Sequence, residues 1–255
     1  VFDTAFHATM PPAAFRYAVP EDWYTDHLVR RYGFHGTSHR FVSQRMAEIL
    51  GKPADEVNLI TCHLGNGGSI CAIEGGKSVD TSMGLTPLEG IVMGTRCGDI
   101  DPAIIDYMLS RGLTIEAIMT CLNKESGLLG LSGISNDMRD VLAAAEADGE
   151  EGERAQLAFD VFCRRIAKYV GSYMVLLGSV DAVVMTGGIG ENTKPVRQYV
   201  CEALSPFGAT YDAAGNDFAV RREGAITAEG SRLPVWIVPT NEELVIARDT
   251  AGFVS

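Results

Sequence analysis

Three short stretches of the chain combine polar or ionisable side chains with glycine. GTRCGDIDP (94–102) sets Arg96 between Gly94 and Gly98, with Asp99 and Asp101 just behind it. A fixed guanidinium fork suits a carboxylate or a phosphoryl group, although an ion pair with Asp99 or Asp101 inside a turn is the plainer reading. HLGNGGS (63–69) is a glycine turn. Its open backbone amides, with Ser69, suit phosphate oxygens, but it also reads as an ordinary hairpin with a favourable Asn-Gly. It lacks the Gly-Lys-Ser/Thr ending of a P-loop. TGGIGEN (186–192) follows an apolar run and precedes a helical pattern. Glycine there lets backbone approach a flat or anionic ligand, and the helix beyond offers unpaired N–H groups. Its spacing is not G-x-G-x-x-G, which speaks against a dinucleotide-binding Rossmann unit.

Four of the five histidines, His7, His35, His39 and His63, fall in the first quarter of the chain near glycines or strand ends. His35 and His39 are four apart, but no Glu follows His35 as a zinc helix requires, and no cysteine pair lies nearby. A cationic or hydrogen-bonding imidazole beside an anionic substrate fits better. Asp3 reads as a strand carboxylate, structural or metal-side. Glu242 and Glu243 open a helix, where they complement its dipole or help hold Mg2+.

The elements that must carry these residues alternate. Strands are expected at 2–7 and 29–33, and a helix over 38–50 with Phe41, Met46 and Leu50 inward. Strands at 57–63, 69–74 and 77–82 make a hairpin meander. Two short helices follow within 102–123. The acidic stretch 143–153 is a solvated turn, leading to a long helix over 153–177 with Leu157, Val161, Ile166, Val170 and Met174 on one stripe. A buried strand (181–186), a helix (194–204), a strand (233–238) and a final helix from 241 complete a mixed α/β layout.

The composition agrees with a folded α/β chain. Of 255 residues, 46% are apolar and 21% charged, with a net charge of −12. That is enough to bury a core, and an isoelectric point near 4.8 disfavours nucleic acid or an anionic membrane as partner. No run approaches the length of a membrane-spanning helix, and the start shows no leader pattern. The six scattered cysteines read as reduced thiols of a cytoplasmic protein.

Taken in order, FDTAFH (2–7), RRYGFHGTSH (30–39), HLGNGGS (63–69), DTSMGLTPLEG (80–90), GTRCGDIDP (94–102), TGGIGEN (186–192) and TNEELVIARD (240–249) resemble the acetate kinase family across essentially the whole chain. Cys97 and Gly68 stand where the family pattern has Ser, and Ala or Ser. Propionate kinases share most of the pattern and butyrate kinases a looser version. The resemblance implies a ribonuclease-H-like domain of the actin-like and sugar-kinase (ASKHA) superfamily, with a mixed sheet flanked by helices. It implies reversible transfer between ATP and acetate, giving ADP and acetyl phosphate with Mg2+ or Mn2+, in a cytoplasmic homodimer joined through this half. It further implies that residues 1–255 are the C-terminal nucleotide-binding domain, that a preceding N-terminal domain is absent, which accounts for Val1 in place of Met, and that 241–255 form a helix returning toward that domain.

Carried over position by position, Asp3, His35 and Arg96 surround the transferring phosphoryl group. His63, Leu64, Gly65, Asn66 and Gly67, then Asp137, Met138 and Arg139, then Gly188, Ile189, Gly190, Glu191 and Asn192 bind nucleotide, and Glu242 helps hold the metal. Acetate is already ionised at neutral pH, so no general base is needed; Asp3 is expected to orient the metal or its water. A sugar or polyol kinase of the same fold, where Asp3 could act as base, and a nucleotide-binding module without turnover are the rival readings.

Overall fold

The computed structural model describes residues 2–254. Six strands form one mixed sheet: β1 (Asn58–Leu64), β2 (Gly68–Glu74), β3 (Lys77–Thr81), β4 (Ala182–Thr186), β5 (Gly224–Ala225) and β6 (Val235–Ile237), in the order β3-β2-β1-β4-β6-β5. The β1–β2–β3 meander is antiparallel, whereas β4 lies parallel to both β1 and β6. β1 and β4 are therefore central, covered on both faces, and built from near-continuous apolar runs, as buried parallel strands are. The helices are α1 (Pro12–Phe15), α2 (Glu21–Thr25), α3 (Gly36–Leu50), α4 (Ala103–Ser110), α5 (Ile115–Thr120), α6 (Gly127–Ser132), α7 (Met138–Ala145), α8 (Glu150–Leu177), α9 (Gly187–Asn192), α10 (Lys194–Ala203), α11 (Ala213–Phe218) and α12 (Glu242–Val254). None of the described helices is long and apolar enough to cross a membrane.

Alternation along β1 decides what each face carries. Ile60, Cys62 and Leu64 join Phe162, Ile166 and Val170 of α8 in the larger core. Leu59, with Cys71 and Ile73 of β2, packs under Val42, Met46 and Ala47 of α3 in the smaller one. Thr61 and His63 share the Leu59 face, so the end of β1 nearest the start of α3 is polar. On β2, Ser69 pairs opposite His63 in the ladder.

Two expected strands are absent. Residues 2–7 form a turn and the start of a 3-10 helix (Ala5–Thr9), which packs beside β3 without extending the sheet. Asp3 thus sits in an exposed turn rather than on a strand. Residues 29–33 are irregular; Arg31, Tyr32 and Gly33 donate singly to Phe15 and Gly84 carbonyls instead of entering a ladder. The inward stripe on α8 is also rotated. Ala155, Ala158, Phe159, Phe162, Cys163, Ile166 and Val170 are buried, while Leu157 is 54% exposed. Leu157 lies nine residues, two and a half turns, from Ile166, on the opposite side of the helix. The glycine run after β4 is itself the short helix α9. Gly187 enters it at φ +78°, and a Cβ there would come within 2.8 Å of the Leu64 carbonyl oxygen, so only glycine suits this crossing.

Candidate active site

The polar end of β1 and β2 meets the first turn of α3. His35, the N-cap residue of α3, adopts φ +57°. Its N–H donates to Asp3 Oδ2 at 2.8 Å, and the Gly36 N–H donates to the Asp3 carbonyl at 2.8 Å. A carboxylate at a helix N-terminus answers the unpaired N–H groups there. Asp3 therefore ties the start of the chain to α3 while leaving its other carboxylate oxygen available.

Below this cap the histidines interlock. Ser38 Oγ is 2.8 Å from His63 Nδ1, Thr61 Oγ1 is 2.7 Å from His39 Nδ1, and Ser69 Oγ lies 2.7 Å from His39 Nε2 and 2.9 Å from His35 Nδ1. Burial, then the Arg96 charge, lowers the His35 pKa to about 4. Burial, then His35, lowers that of His63 to about 3. Both rings are neutral near pH 7, so they act as hydrogen-bonding groups rather than cations. His7 packs edge-on against His39, with ring centroids 5.7 Å apart, but makes its own hydrogen bonds, to Ser78 Oγ at 2.8 Å and the Phe34 carbonyl at 2.9 Å.

Arg96 arrives from the loop after β3. Its Nη1 donates to the Pro87 carbonyl at 2.7 Å. The expected pairing with Asp99 or Asp101 does not occur. Asp99 instead accepts from the Gly90 N–H and the Tyr169 hydroxyl, and Asp101 caps the Ala103 N–H. Arg96 has no carboxylate partner among the described residues, and burial lowers its pKa. It points at the hairpin loop: a Cβ built on Gly67 would lie 2.9 Å from Arg96 Nη2 and 3.6 Å from His35 Nε2. A guanidinium and an imidazole thus converge over one bare α-carbon, which is a place for an anion.

The same loop forms one wall of a cleft of about 440 Å³ lined by Gly65, Asn66, Asn136, Asp137, Met138, Arg139, Gly188, Ile189, Asn192, Thr193 and Arg221. All three expected nucleotide segments reach it, but not all their residues do. Leu64 is fully buried in the core, and Gly190 packs on Met185 and Leu64. Glu191 turns inward: its Oε1 accepts from the Gly187 N–H at 2.9 Å and the Thr240 N–H at 3.3 Å. His63 stands beside the cleft in the histidine cluster, and Gly67 faces Arg96. Asp137 is the N-cap of α7 and accepts from the Arg139 N–H and guanidinium; these bonds lower its pKa. Asn136, Thr193 and Arg221 line the cleft without having been expected. Asn136 sits beside a recognised motif, whereas no local pattern marks Arg221.

Glu242 opens α12, and its pKa is raised, first by burial and then by the charge of Asp3. The Asp3 and Glu242 carboxylates, near enough for the charge of one to raise the pKa of the other, and the buried Thr240 hydroxyl, which lacks a hydrogen-bond partner among the described residues, offer hard oxygen donors. Among the described residues no group of three or more His, Cys, Asp or Glu could hold a metal by itself. Such a sparse set fits magnesium, which keeps its waters and uses one or two carboxylates plus substrate phosphates.

The fold is the ribonuclease-H-like domain of the actin-like and sugar-kinase superfamily, and a crystal structure of Porphyromonas gingivalis acetate kinase superposes with a TM-score of 0.95 at 47% identity, over 100% of this chain and 63% of that one. The acetokinase family model matches residues 1–248, and the chain belongs to that family. It is 54% identical to the acetate kinase of Staphylococcus carnosus and 57% identical to acetate kinase 1 of Vibrio cholerae, over 100% and 98% of this chain. A propionate kinase from Francisella tularensis is 46% identical, with a TM-score of 0.89, over 98% of this chain and 62% of that one. The chain spans 63–64% of the length of the two curated relatives.

Proposed function

We propose that the protein transfers a phosphoryl group reversibly between ATP and acetate, giving ADP and acetyl phosphate, and that this chain supplies the nucleotide-binding domain. The convergence of Arg96 and His35 over Gly67, at the mouth of the glycine-lined cleft, carries the reading. In it, an acetate oxygen attacks the γ-phosphorus, the bond to the β,γ-bridging oxygen breaks, and ADP leaves. No proton moves, which agrees with a site whose histidines are neutral. Catalysis then rests on positioning and charge: Arg96 clamps the equatorial oxygens or the carboxylate, and the His35 imidazole donates to the charge that develops.

Gly65 and Asn66, Asp137 to Arg139, and Gly188, Ile189 and Asn192 would enclose the nucleotide. A Cβ on Gly188 would meet no protein atom within 4 Å, so a ligand is what would require that position bare. Asp3 and Glu242 would hold magnesium, which supplies charge neutralisation on the phosphates when bound. Glu242–Val254 is the helix we assign to the return toward a second domain; Ser255, the end of that expected segment, lies outside the described residues. A homodimer through this domain is supported by exposed Ile104, Tyr107, Leu109, Leu113, Ile115 and Met119 on and between α4 and α5, an apolar face of the kind dimers cover; the cytoplasmic location stays part of the proposal.

Incubation with Mg·ATP and acetate, propionate or butyrate, with hydroxylamine trapping of the acyl phosphate, tests the reading. Acyl hydroxamate formation with acetate is expected from the protein in which this chain serves as the nucleotide-binding domain. Phosphorylation of glycerol or a hexose without any acyl phosphate would sink it in favour of a sugar kinase. The propionate relative makes the acid preference an open comparison, since one methylene is worth only about 1–3 kcal/mol.

A further inference from the structure

Phosphoryl transfer gives no role to Thr61, His39 or Ser69, yet these three lead from the middle of the sheet to His35. We propose that they form a hydrogen-bond chain with a fixed direction, which holds His35 as the Nε2–H tautomer and makes Ser69 its positioning residue. The proposal deepens the role given to His35 above and rests on it for its catalytic meaning.

The distances leave two arrangements. Thr61 Oγ1 meets His39 Nδ1 at 2.7 Å, His39 Nε2 meets Ser69 Oγ at 2.7 Å, and Ser69 Oγ meets His35 Nδ1 at 2.9 Å. A hydroxyl has one proton and a neutral imidazole one N–H. Ser69 lies between two imidazoles, and its hydroxyl has no other hydrogen bond among the described residues; accepting from both rings would strand its buried proton, so it donates to one and accepts from the other. Running outward, Thr61 donates to His39 Nδ1, His39 Nε2–H donates to Ser69, and Ser69 donates to His35 Nδ1. Running inward, His35 Nδ1–H donates to Ser69, Ser69 to His39 Nε2, and His39 Nδ1–H to Thr61.

Thr61 decides between them. It is fully buried on β1, between β2 and β4, and its hydroxyl has no other hydrogen bond among the described residues. In the inward arrangement its proton has no acceptor, which disfavours that state by about ten- to hundredfold. In the outward arrangement each group in the chain finds its partner, and the proton of His35 is left on Nε2. That nitrogen is the His35 atom closest to the space over Gly67, which Arg96 Nη2 also reaches. A neutral imidazole is thereby presented as a donor, with its lone pair turned away from the anion.

Nitrogen-15 NMR of the labelled imidazoles, on the full chain without substrates near neutral pH, reads the tautomer directly. A protonated-type shift at His35 Nε2 and an unprotonated-type shift at Nδ1 are expected; the reverse in the unsubstituted protein overturns the proposal. Ser69→Ala removes the donor to Nδ1 and should bring the His35 preference from about tenfold or more toward parity, while Ser69→Thr, which keeps a hydroxyl, restores it. A folded Ser69→Ala chain with an unchanged tautomer ratio removes Ser69 from the role. If that variant does not fold, Thr61→Val decides, because it deletes the proton that sets the direction; an unchanged preference then overturns the proposal. These spectra need neither nucleotide nor acid. The expected tautomer in a protein that phosphorylates glycerol or a hexose but forms no acyl phosphate would sink the function and leave the network standing.

Discussion

The imidazoles of His35 and His63 are stacked, with ring centroids 4.2 Å apart and planes 21° from parallel. Two rings this close, both removed from water, resist protonation together. His35 titrates at about 4 and His63 at about 3, against 6.5 for a free imidazole, and burial also lowers His7 and His39.

Acid should therefore weaken the fold. Between the unfolded and folded values the unfolded chain binds protons that the folded one does not, so stability is full above pH ~6.5 and falls as pH drops toward ~4. Each such histidine contributes up to about 1.4 kcal/mol per pH unit. Urea unfolding at about pH 7 and about pH 5 measures it, and His63→Asn should flatten the slope. A free energy of unfolding unchanged between the two would contradict the assignment.

Arg96→Ala should lower turnover by about 10² to 10³ while changing stability by less than about 0.5 kcal/mol, because Arg96 has no carboxylate to strand among the described residues. Arg96→Lys keeps the charge but loses the fork and should recover only part of the rate. Steady-state kinetics beside thermal unfolding separates the two effects.

Gly187 and Gly188 are adjacent and should behave oppositely. Gly187→Ala meets the Leu64 backbone at φ +78° and should destabilise the protein. Gly188→Ala has open space around it and sits in a helix, where alanine is favoured by about 0.5–1 kcal/mol. It should keep or raise stability and weaken ADP binding, as calorimetric titration would show. Unimpaired binding would take the nucleotide away from this end of the cleft.

Glu242→Gln removes one of the two carboxylates proposed to hold magnesium. The Mg2+ concentration for half-maximal turnover should rise by at least about tenfold, a loss that supporting residues of metal sites alone can produce. A magnesium titration that matches the unsubstituted protein would place the metal elsewhere.

Arg197 is fully buried and donates to the Gly190 and Glu191 carbonyls at 3.3 and 2.7 Å and to Asn216 Oδ1 and carbonyl at 2.5 and 2.8 Å. It pins the end of α9 to α11. Arg197→Met strands these acceptors and should cost about 3 kcal/mol or more, read by chemical denaturation.

The meander, the central strand 182–186 and the long helix were legible because period and turn residues are local signals. The glycine turns and Arg96 stood out because they combine unusual residues in short runs, and the structure brings Arg96 to Gly67 and glycines of both turns to the cleft. By contrast, 2–7 and 29–33 have strand-like composition, but a strand exists only where a neighbour offers an open edge, and here neither segment enters a ladder. The register of the α8 stripe was set by what the sheet offered to bury, and Leu157 lost to Phe159 and Phe162.

The amino-acid sequence by itself determined the alternating α/β order and where the glycine-rich and ionisable segments fall along it, since both follow from neighbours along the chain. Only the tertiary structure decided that Arg96 faces Gly67 rather than Asp99, and that Asp3 caps α3. It likewise turned Glu191 inward and gathered Thr61, His39, Ser69 and His35 into one line. Those outcomes depend on which strand faces which helix and in what register, and residues far apart in sequence have no local signal of their meeting until the sheet is assembled.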